Sequence, residues 1–354
     1  ARIGMVTSEG LTSNIKKHYS KSVLFFVILL SVPAIVLNIS ADIAGMGAVA
    51  HLLVPCVPSF VFSIIFTVLL ILCLTFLSYE RIVGVLKYLC FSILLYLIIP
   101  FITKTHWLAV IKSTFTPSIQ FNKEYFSVLV AILGTTISPY LFFWQATMEA
   151  QNQSHRRRLF VDKHSMTDMK TDVAVGMFFS NLVMYFIILT TGIILFQNGI
   201  HQIDTVEQAA KALEPLAGEY SYFLFALGIV GTGFLAIPVL SGSLAYILST
   251  TFGWKTGLDK KYYEAKNFYF VVVVSLILGL LINLLDFNPI QALFYTAVLY
   301  GVTAPVLIIL ILLIANNKKI MGKQTNGIIA NTLGILTFLL MLTSALLLIY
   351  FLFA

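Results

Sequence analysis

Nine long apolar segments, separated by short polar stretches, dominate the pattern of this chain. Each segment is close to the roughly 20 residues that a helix needs to cross the apolar core of a bilayer, about 30 Å thick. None shows the strict alternation of polar and apolar residues that marks a membrane β-barrel strand. The pattern therefore predicts an all-α polytopic membrane protein with nine transmembrane helices. The segments span residues 22–54, 58–79, 83–103, 125–150, 171–197, 220–252, 267–285, 290–315 and 327–354.

The loops between these segments alternate in charge. Every second loop is basic, whereas the intervening ones are uncharged, mixed or acidic, as in the stretch from Asp204 to Glu219. Basic loops stay in the cytoplasm, so we predict a multi-pass protein of the cell membrane with its C-terminus outside. The set that includes every strongly basic loop contains Lys16, Lys17 and Lys21; Glu80 and Arg81; Arg156, Arg157, Arg158, Lys163 and Lys170; Lys255, Lys260, Lys261 and Lys266; and Lys318, Lys319 and Lys323.

Composition excludes a soluble domain. Hydrophobic residues make up 59% of the 354 positions and charged residues only 10%, whereas soluble domains carry about 25% charged residues. The net charge of +7 is concentrated in the basic loops, so we expect a lipid bilayer and not nucleic acid as the partner. Three cysteines are too few for a disulfide framework. No soluble-enzyme or zinc motif occurs, so we expect neither enzymatic activity nor a cofactor. Composition does not predict an oligomeric state.

The fourth apolar segment, residues 125–150, contains a predicted helix break. Pro139 removes a backbone donor, and Gly134 and the hydroxyls of Thr135, Thr136 and Ser138 weaken the preceding turn. Transporters use such breaks to expose carbonyl groups to a cation near the middle of the membrane. The alternative interpretation is an ordinary proline kink.

Two further pairs of polar residues lie inside apolar segments. Asn38 and Asp42 are four residues apart and share a helix face. An acid inside a membrane helix is costly and usually marks an ion route, although Asp42 could instead lie near a membrane surface and only pack. Gln145 and Glu149 also share a face, but Glu149 is close to a basic loop and could simply pair with it.

The remaining segments suggest a single domain over residues 1–354. Residues 204–218 have the composition of a short external surface helix, whereas residues 104–124 predict no clear element. The sequence opens with Ala1 and has neither an initiator methionine nor a signal peptide. We therefore expect that upstream sequence is missing.

Together these residues resemble the NRAMP family of divalent-metal transporters. Residues 1–21 resemble the end of the second family helix and the cytoplasmic loop after it, residues 38–47 (NISADIAGMG) the third helix, and residues 205–220 (TVEQAAKALEPLAGEY) the stretch before the eighth. The resemblance implies a LeuT-like inverted-repeat fold, represented here by family helices three to eleven. It also implies that the first helix, which supplies a metal-binding carboxylate, is absent.

The departures from the family pattern concern the site itself. In the usual sixth-helix motif, alanine, methionine and histidine stand where this chain has Thr135, Ser138 and Tyr140. Gly45 occupies the position of a second acid, and Ala297 that of a glutamine. The form TTISPYLFFWQ resembles a divergent prokaryotic branch that includes NRAMP-related magnesium transporters.

The working hypothesis is a secondary transporter that imports a divalent cation, Mg²⁺ or Mn²⁺, by alternating access. The resemblance makes Thr135 and Ser138 the metal-binding residues, whereas Asp42 would contribute a negative electrostatic field or a route for protons. One alternative is a LeuT-like transporter of amino acids or other organic solutes, and another is a non-transporting membrane scaffold or sensor. Lining the pathway we expect Asn38, Asp42, Thr136, Tyr140 and Gln145, with Gly134 and Pro139 forming the break.

Overall fold

The computed structural model describes residues 1–77, 84, 88, 93–103, 105–155, 163–258, 260–285 and 288–353, which are α-helical throughout apart from turns and short 3₁₀ segments. The long helices are joined by short connections. In chain order the helices are α1 (Arg2–Thr7), α2 (Leu11–His18), α3 (Lys21–Leu53), α4 (Ser59–Phe76), α5 (Leu95–Ile102), α6 (Trp107–Phe115), α7 (Lys123–Thr136), α8 (Pro139–His155), α9 (Lys163–Ile194), α10 (Val206–Ala210), α11 (Glu214–Ala217), α12 (Ser221–Phe252), α13 (Lys266–Asn283), α14 (Pro289–Asn316), α15 (Lys318–Met321) and α16 (Ile328–Phe353).

Eight of the nine predicted spans coincide with helices long and apolar enough to cross a membrane. The fourth of the nine consists of α7 and α8 together. The remaining prediction, residues 83–103, is described only at residues 84, 88 and 93–103, and its final part forms α5. The prediction of an all-α multi-pass membrane protein is confirmed.

Local sequence explains where several of these helices begin. Ser20 accepts a hydrogen bond from the Val23 N–H at the start of α3. Asn288 accepts from the amides of Ile290 and Gln291 at the start of α14. Thr205 forms a reciprocal capping box with Gln208 before α10. Each cap satisfies backbone donors that the first helical turn leaves free.

Three regions differ from the expectations. α6 lies within residues 104–124, where no element was predicted, and α2 lies within the loop expected at residues 1–21. The surface helix expected over residues 204–218 is divided into α10, a 3₁₀ turn, α11 and a second 3₁₀ turn. Pro215 lies in the first turn of α11, where its missing N–H interrupts a continuous helix.

The helix α3 is the centre of the bundle and packs against α4, α12, α13 and α14. Its inward side chains, among them Ile35, Ile39, Ile43 and Met46, are fully buried. Asn38 and Asp42 lie on this same central helix. Both side chains are partly buried.

The helices α7 and α14 cross in backbone contact. A Cβ atom added to Gly134 would lie 2.1 Å from the Ala297 carbonyl oxygen and 2.4 Å from the Gly301 nitrogen. A Cβ added to Gly301 would lie 2.2 Å from the carbonyl oxygen of Val130. Small residues allow such close approach between membrane helices, so this crossing tolerates glycine alone.

We predict that Gly134→Ala and Gly301→Ala each destabilise the protein by about 1–3 kcal/mol, because backbone atoms in the way cannot move aside as a side chain can. Gly192→Ala is the matched control, since a Cβ at this position of α9 meets no atom within 4 Å. Thermal unfolding in detergent measures the effect. Equal midpoints for all three variants would contradict the close crossing.

Candidate metal-ion site

The long span over residues 123–155 is interrupted after Thr136. The Ile137 N–H donates to the Leu133 carbonyl at 2.9 Å and closes the last turn of α7. The new helix starts with Pro139, and the Leu141 N–H donates to the Ser138 carbonyl at 3.1 Å. The chain therefore changes helix over two residues, Ile137 and Ser138, in the middle of an apolar span. By contrast, α3, α12 and α14 continue through Pro33, Pro238 and Pro305.

The Ser138 side chain repairs part of this break. The carbonyl of Thr135 would normally accept from the backbone N–H of residue 139, which is proline and has none. The buried Ser138 hydroxyl lies 2.9 Å from the Thr135 carbonyl and 3.0 Å from the Gly134 carbonyl, and it donates to this pair. Its proton is therefore directed into the protein, whereas the oxygen lone pairs remain able to accept.

Two more hydroxyls adjoin the break. The hydroxyls of Thr135 and Thr136 donate to the Ile132 carbonyl at 3.0 and 2.7 Å. Thr136 also contacts the Met184 sulfur, on α9, at 3.4 Å. Within the described ranges, no hydrogen bond to the Ile137 carbonyl is found. This oxygen, rather than that of Thr135, is a free acceptor of the break.

A second polar cluster lies beside the break and joins α3, α8 and α14. The ring of Tyr140 packs on that of Tyr300, with centroids 5.8 Å apart. The Tyr300 hydroxyl faces the side chains of Asn38 and Asp42. The structure therefore brings three of the predicted pathway residues together around a tyrosine that the sequence analysis did not select.

Gln145 lies apart from this cluster, two turns further along α8. Its amide donates to the Glu149 carboxylate at 3.0 Å. Glu149 lines a separate cavity of about 240 Å³, together with Asp168 and Asp172 of α9. The pairing of Gln145 with Glu149 is intrahelical, so the expected shared face is present.

The oxygen atoms at the break come from hydroxyls and carbonyls. Among the described residues, no group of three or more histidine, cysteine or acidic side chains is arranged to hold a metal ion. A cation here would be bound by hydroxyl, carbonyl and water oxygens, which suit hard ions such as Mg²⁺, Ca²⁺ and Mn²⁺.

Two contributors to this region were missed by sequence reasoning. Tyr300 and Met184 lie in apolar runs where nothing distinguishes them from packing residues. Only the tertiary contacts of α14 and α9 bring them to Tyr140 and Thr136. For Tyr300 the sole sequence signal is a polar tip within an apolar span.

The fold is similar to that of solved transporters. A histidine-to-alanine variant of the Eremococcus coleocola manganese transporter aligns with a TM-score of 0.70 and 18% identity, over 98% of this chain and 74% of that one. The same transporter in complex with an aromatic bis-isothiourea substituted compound gives a TM-score of 0.71 and 16% identity over the same shares. This similarity confirms the expected transporter fold.

The sequence matches the family described as natural resistance-associated macrophage protein-like, Nramp, over residues 1–351. The chain belongs to the Nramp family. The resemblance found in the sequence is thereby confirmed.

Curated Nramp relatives include the divalent metal cation transporter MntH of Caldanaerobacter subterraneus, which is 26% identical over 67% of this chain and 53% of the relative. MntH of Clostridium acetobutylicum is 23% identical over 73% and 57%, respectively. The chain thus spans little more than half the length of these relatives. The MntH of Klebsiella pneumoniae strain 342 is 22% identical over 92% of this chain and 76% of its own length.

We predict that Ser138→Ala destabilises the protein more than Ser344→Ala, although both serines are buried and donate to a helix carbonyl. Loss of Ser138 leaves the Thr135 carbonyl without a donor, which costs about 1–3 kcal/mol. Ser344 donates to the Leu340 carbonyl, which keeps its ordinary helical donor. Thermal midpoints compare the two. A loss at Ser344 as large as that at Ser138 would show that the break needs no repair.

Proposed function

We propose that this Nramp protein is a secondary transporter that imports a divalent cation, Mg²⁺ or Mn²⁺, by alternating access. Family membership supports transport of a divalent metal, because relatives in this family bear the name divalent metal cation transporter. The break between Thr136 and Pro139 is the observation that carries the proposal. Free backbone oxygen at this depth is tolerated only where it is buried in protein or lines a cavity.

Each predicted site residue has a place in this proposal. Thr135 and Ser138 bind the ion directly or hold the waters that do so, and Gly134 and Pro139 create the break. The carbonyl of Ile137 joins the ligand set, because it is an acceptor left free. Along the pathway lie Asn38, Asp42, Thr136, Tyr140 and Gln145.

The ligand chemistry favours hard ions. Ser138 stands where the common family has methionine, so a thioether is replaced by a hydroxyl. Serine is also smaller and leaves room for water, which Mg²⁺ gives up reluctantly. Met184 does bring a sulfur to the break, but this sulfur contacts the Thr136 hydroxyl. Gly45 and Tyr140 replace two titratable family residues, so proton coupling is weak or absent.

The distribution of the basic loops sets the proposed orientation of the protein in the membrane. With the basic loops in the cytoplasm and the C-terminus outside, the cavity beside Glu149 opens near the cytoplasmic ends of α8 and α9. Residues 1–354 form one transporter domain in this proposal. The segmented stretch of α10 and α11 lies at the external surface.

We predict that Mg²⁺ and Mn²⁺ outcompete Cd²⁺ for uptake into proteoliposomes containing the full-length protein. Ser138→Met should shift the preference toward Cd²⁺ by about tenfold, because a thioether favours thiophilic metals. Met184→Leu is the control and should leave the preference unchanged, since that sulfur is engaged with Thr136. Intravesicular pH is followed in parallel.

Preference for Cd²⁺ in the unmodified protein, or stoichiometric acidification during uptake, would contradict this selectivity. Uptake of an amino acid without any metal flux would favour the organic-solute alternative. If the protein transports no solute at all, the alternative of a non-transporting membrane scaffold or sensor is favoured.

We predict that Pro139→Ala lowers metal uptake at least about tenfold, because an amide N–H at residue 139 can pair with the Thr135 carbonyl and heal the helix. Pro33→Ala is the matched control, since α3 is already continuous through Pro33. Radioisotope or fluorescence uptake with equal reconstituted protein measures both. Full activity in Pro139→Ala would show that transport does not need the break.

A further inference from the structure

Tyr300 is a buried residue whose hydroxyl lacks a satisfactory partner. The side chain is 2% exposed. The Asn38 side chain approaches its hydroxyl, but the two groups do not form a well-aligned hydrogen bond. A buried hydroxyl without a partner is costly. Buried polar groups are almost always paired with protein or ordered water, so this hydroxyl indicates a ligand or water beside it.

The groups facing Tyr300 are polar and include one carboxyl group, that of Asp42. Asn38 and Asp42 from α3 and Tyr140 from α8 surround the hydroxyl. Within the described part of the chain, Asp42 forms no ion pair, and no side chain donates a hydrogen bond to its carboxylate. Ionised acids inside a membrane protein usually face a partner charge or a water-filled cavity. Among the described residues the cluster therefore contains no cation, and the Asp42 carboxyl accepts no hydrogen bond from a side chain.

A single ligand can supply both a positive charge and hydrogen-bond donors. A hydrated divalent cation brings positive charge to the Asp42 carboxylate, and its waters donate hydrogen bonds to the tyrosine and asparagine oxygens. Mg²⁺ is commonly held in this manner, by one or two carboxylates with several waters retained. A bare thiophilic ion would find no soft ligand among these four side chains.

The position next to the break gives the cluster a role in the pathway. Tyr140 follows Pro139, the first residue of α8, and its ring packs on Tyr300. The neighbour of Tyr300 on α14, Gly301, is in backbone contact with α7. The cluster thus adjoins the break through Tyr140.

We propose that Tyr300, together with Asn38, Asp42 and Tyr140, forms a second station for a hydrated divalent cation, adjacent to the break. Tyr300 is the specificity-determining residue of this station, because its hydroxyl accepts from or donates to the first hydration shell. The inference rests on the proposed function of divalent-cation import.

The test is Tyr300→Phe in the full-length protein, which removes the hydroxyl and keeps the ring that packs on Tyr140. We expect the KM for Mg²⁺ to rise about threefold to tenfold, as loss of one such hydrogen bond allows, with kcat nearly unchanged. The KM for Mn²⁺ should rise less, because Mn²⁺ gives up water more readily. Tyr295→Phe is the matched control, since Tyr295 lies on the same helix and is 66% exposed.

Thermal midpoints of both variants separate a binding effect from damage to the fold. Asp42→Asn should also raise the KM for Mg²⁺, and combining it with Tyr300→Phe should give less than the product of the two single effects. Unchanged KM values in Tyr300→Phe, or a change confined to pH dependence, would overturn the second station while leaving import intact. Absence of Mg²⁺ and Mn²⁺ uptake by the unmodified protein would instead refute the proposed function.

Discussion

Backbone polar groups inside a bilayer must find hydrogen-bond partners within the protein. Interrupting a helix between Thr136 and Pro139 violates this rule unless neighbours compensate. The Ser138 hydroxyl covers the carbonyl that Pro139 cannot serve, and α14 approaches α7 closely enough at Gly301 to exclude lipid. At the break itself Ser138 is buried and Thr136 and Ile137 are half-buried, whereas Thr135 is exposed. The same residues that make the break possible also limit what can bind there, since they contribute oxygen atoms.

The apolar pattern predicted the spans well because a membrane helix is a strong and local signal. Short helices such as Trp107–Phe115 and Leu11–His18 were missed, because eight or nine residues with scattered polar positions give no periodicity above that of a loop. The break was predictable for a similar local reason, since Pro139 and Gly134 act on their own turn. What each hydroxyl does was not predictable. Ser138 was expected as a ligand through its oxygen, and the structure adds a further role, because its proton is donated to the helix that it repairs.

Tertiary proximity sets a different limit on sequence reasoning. Tyr300 lies in an apolar run where either face of the helix could meet lipid. Only the crossing of α14 with α3 and α7 determines that its hydroxyl faces Asp42. Met184 illustrates the same limit. Because this chain has serine at residue 138, where the common family has methionine, the sequence suggested that no sulfur atom lies near the break. A neighbouring helix brings one to Thr136 at 3.4 Å. Selectivity therefore depends on what each nearby group is already bonded to, as well as on which residue types occupy a motif.

The two halves of the broken helix also belong to different packing groups. The first half, α7, lies against α14 and α16, whereas the second half, α8, packs mainly on α1 and α12. Each half packs closely on its own neighbours. Gly134 of α7 contacts the backbone of α14, and Gly4 of α1 contacts the Ala146 carbonyl of α8. Interfaces packed this closely resist deformation, because interiors change between discrete arrangements rather than bending continuously. If the two packing groups move relative to each other, the change therefore disrupts the fewest contacts when it occurs at Ile137 and Ser138, where the helix is already interrupted. In the proposed transporter, the break is thus both the place where oxygen atoms are offered to an ion and the joint about which access to that ion alternates.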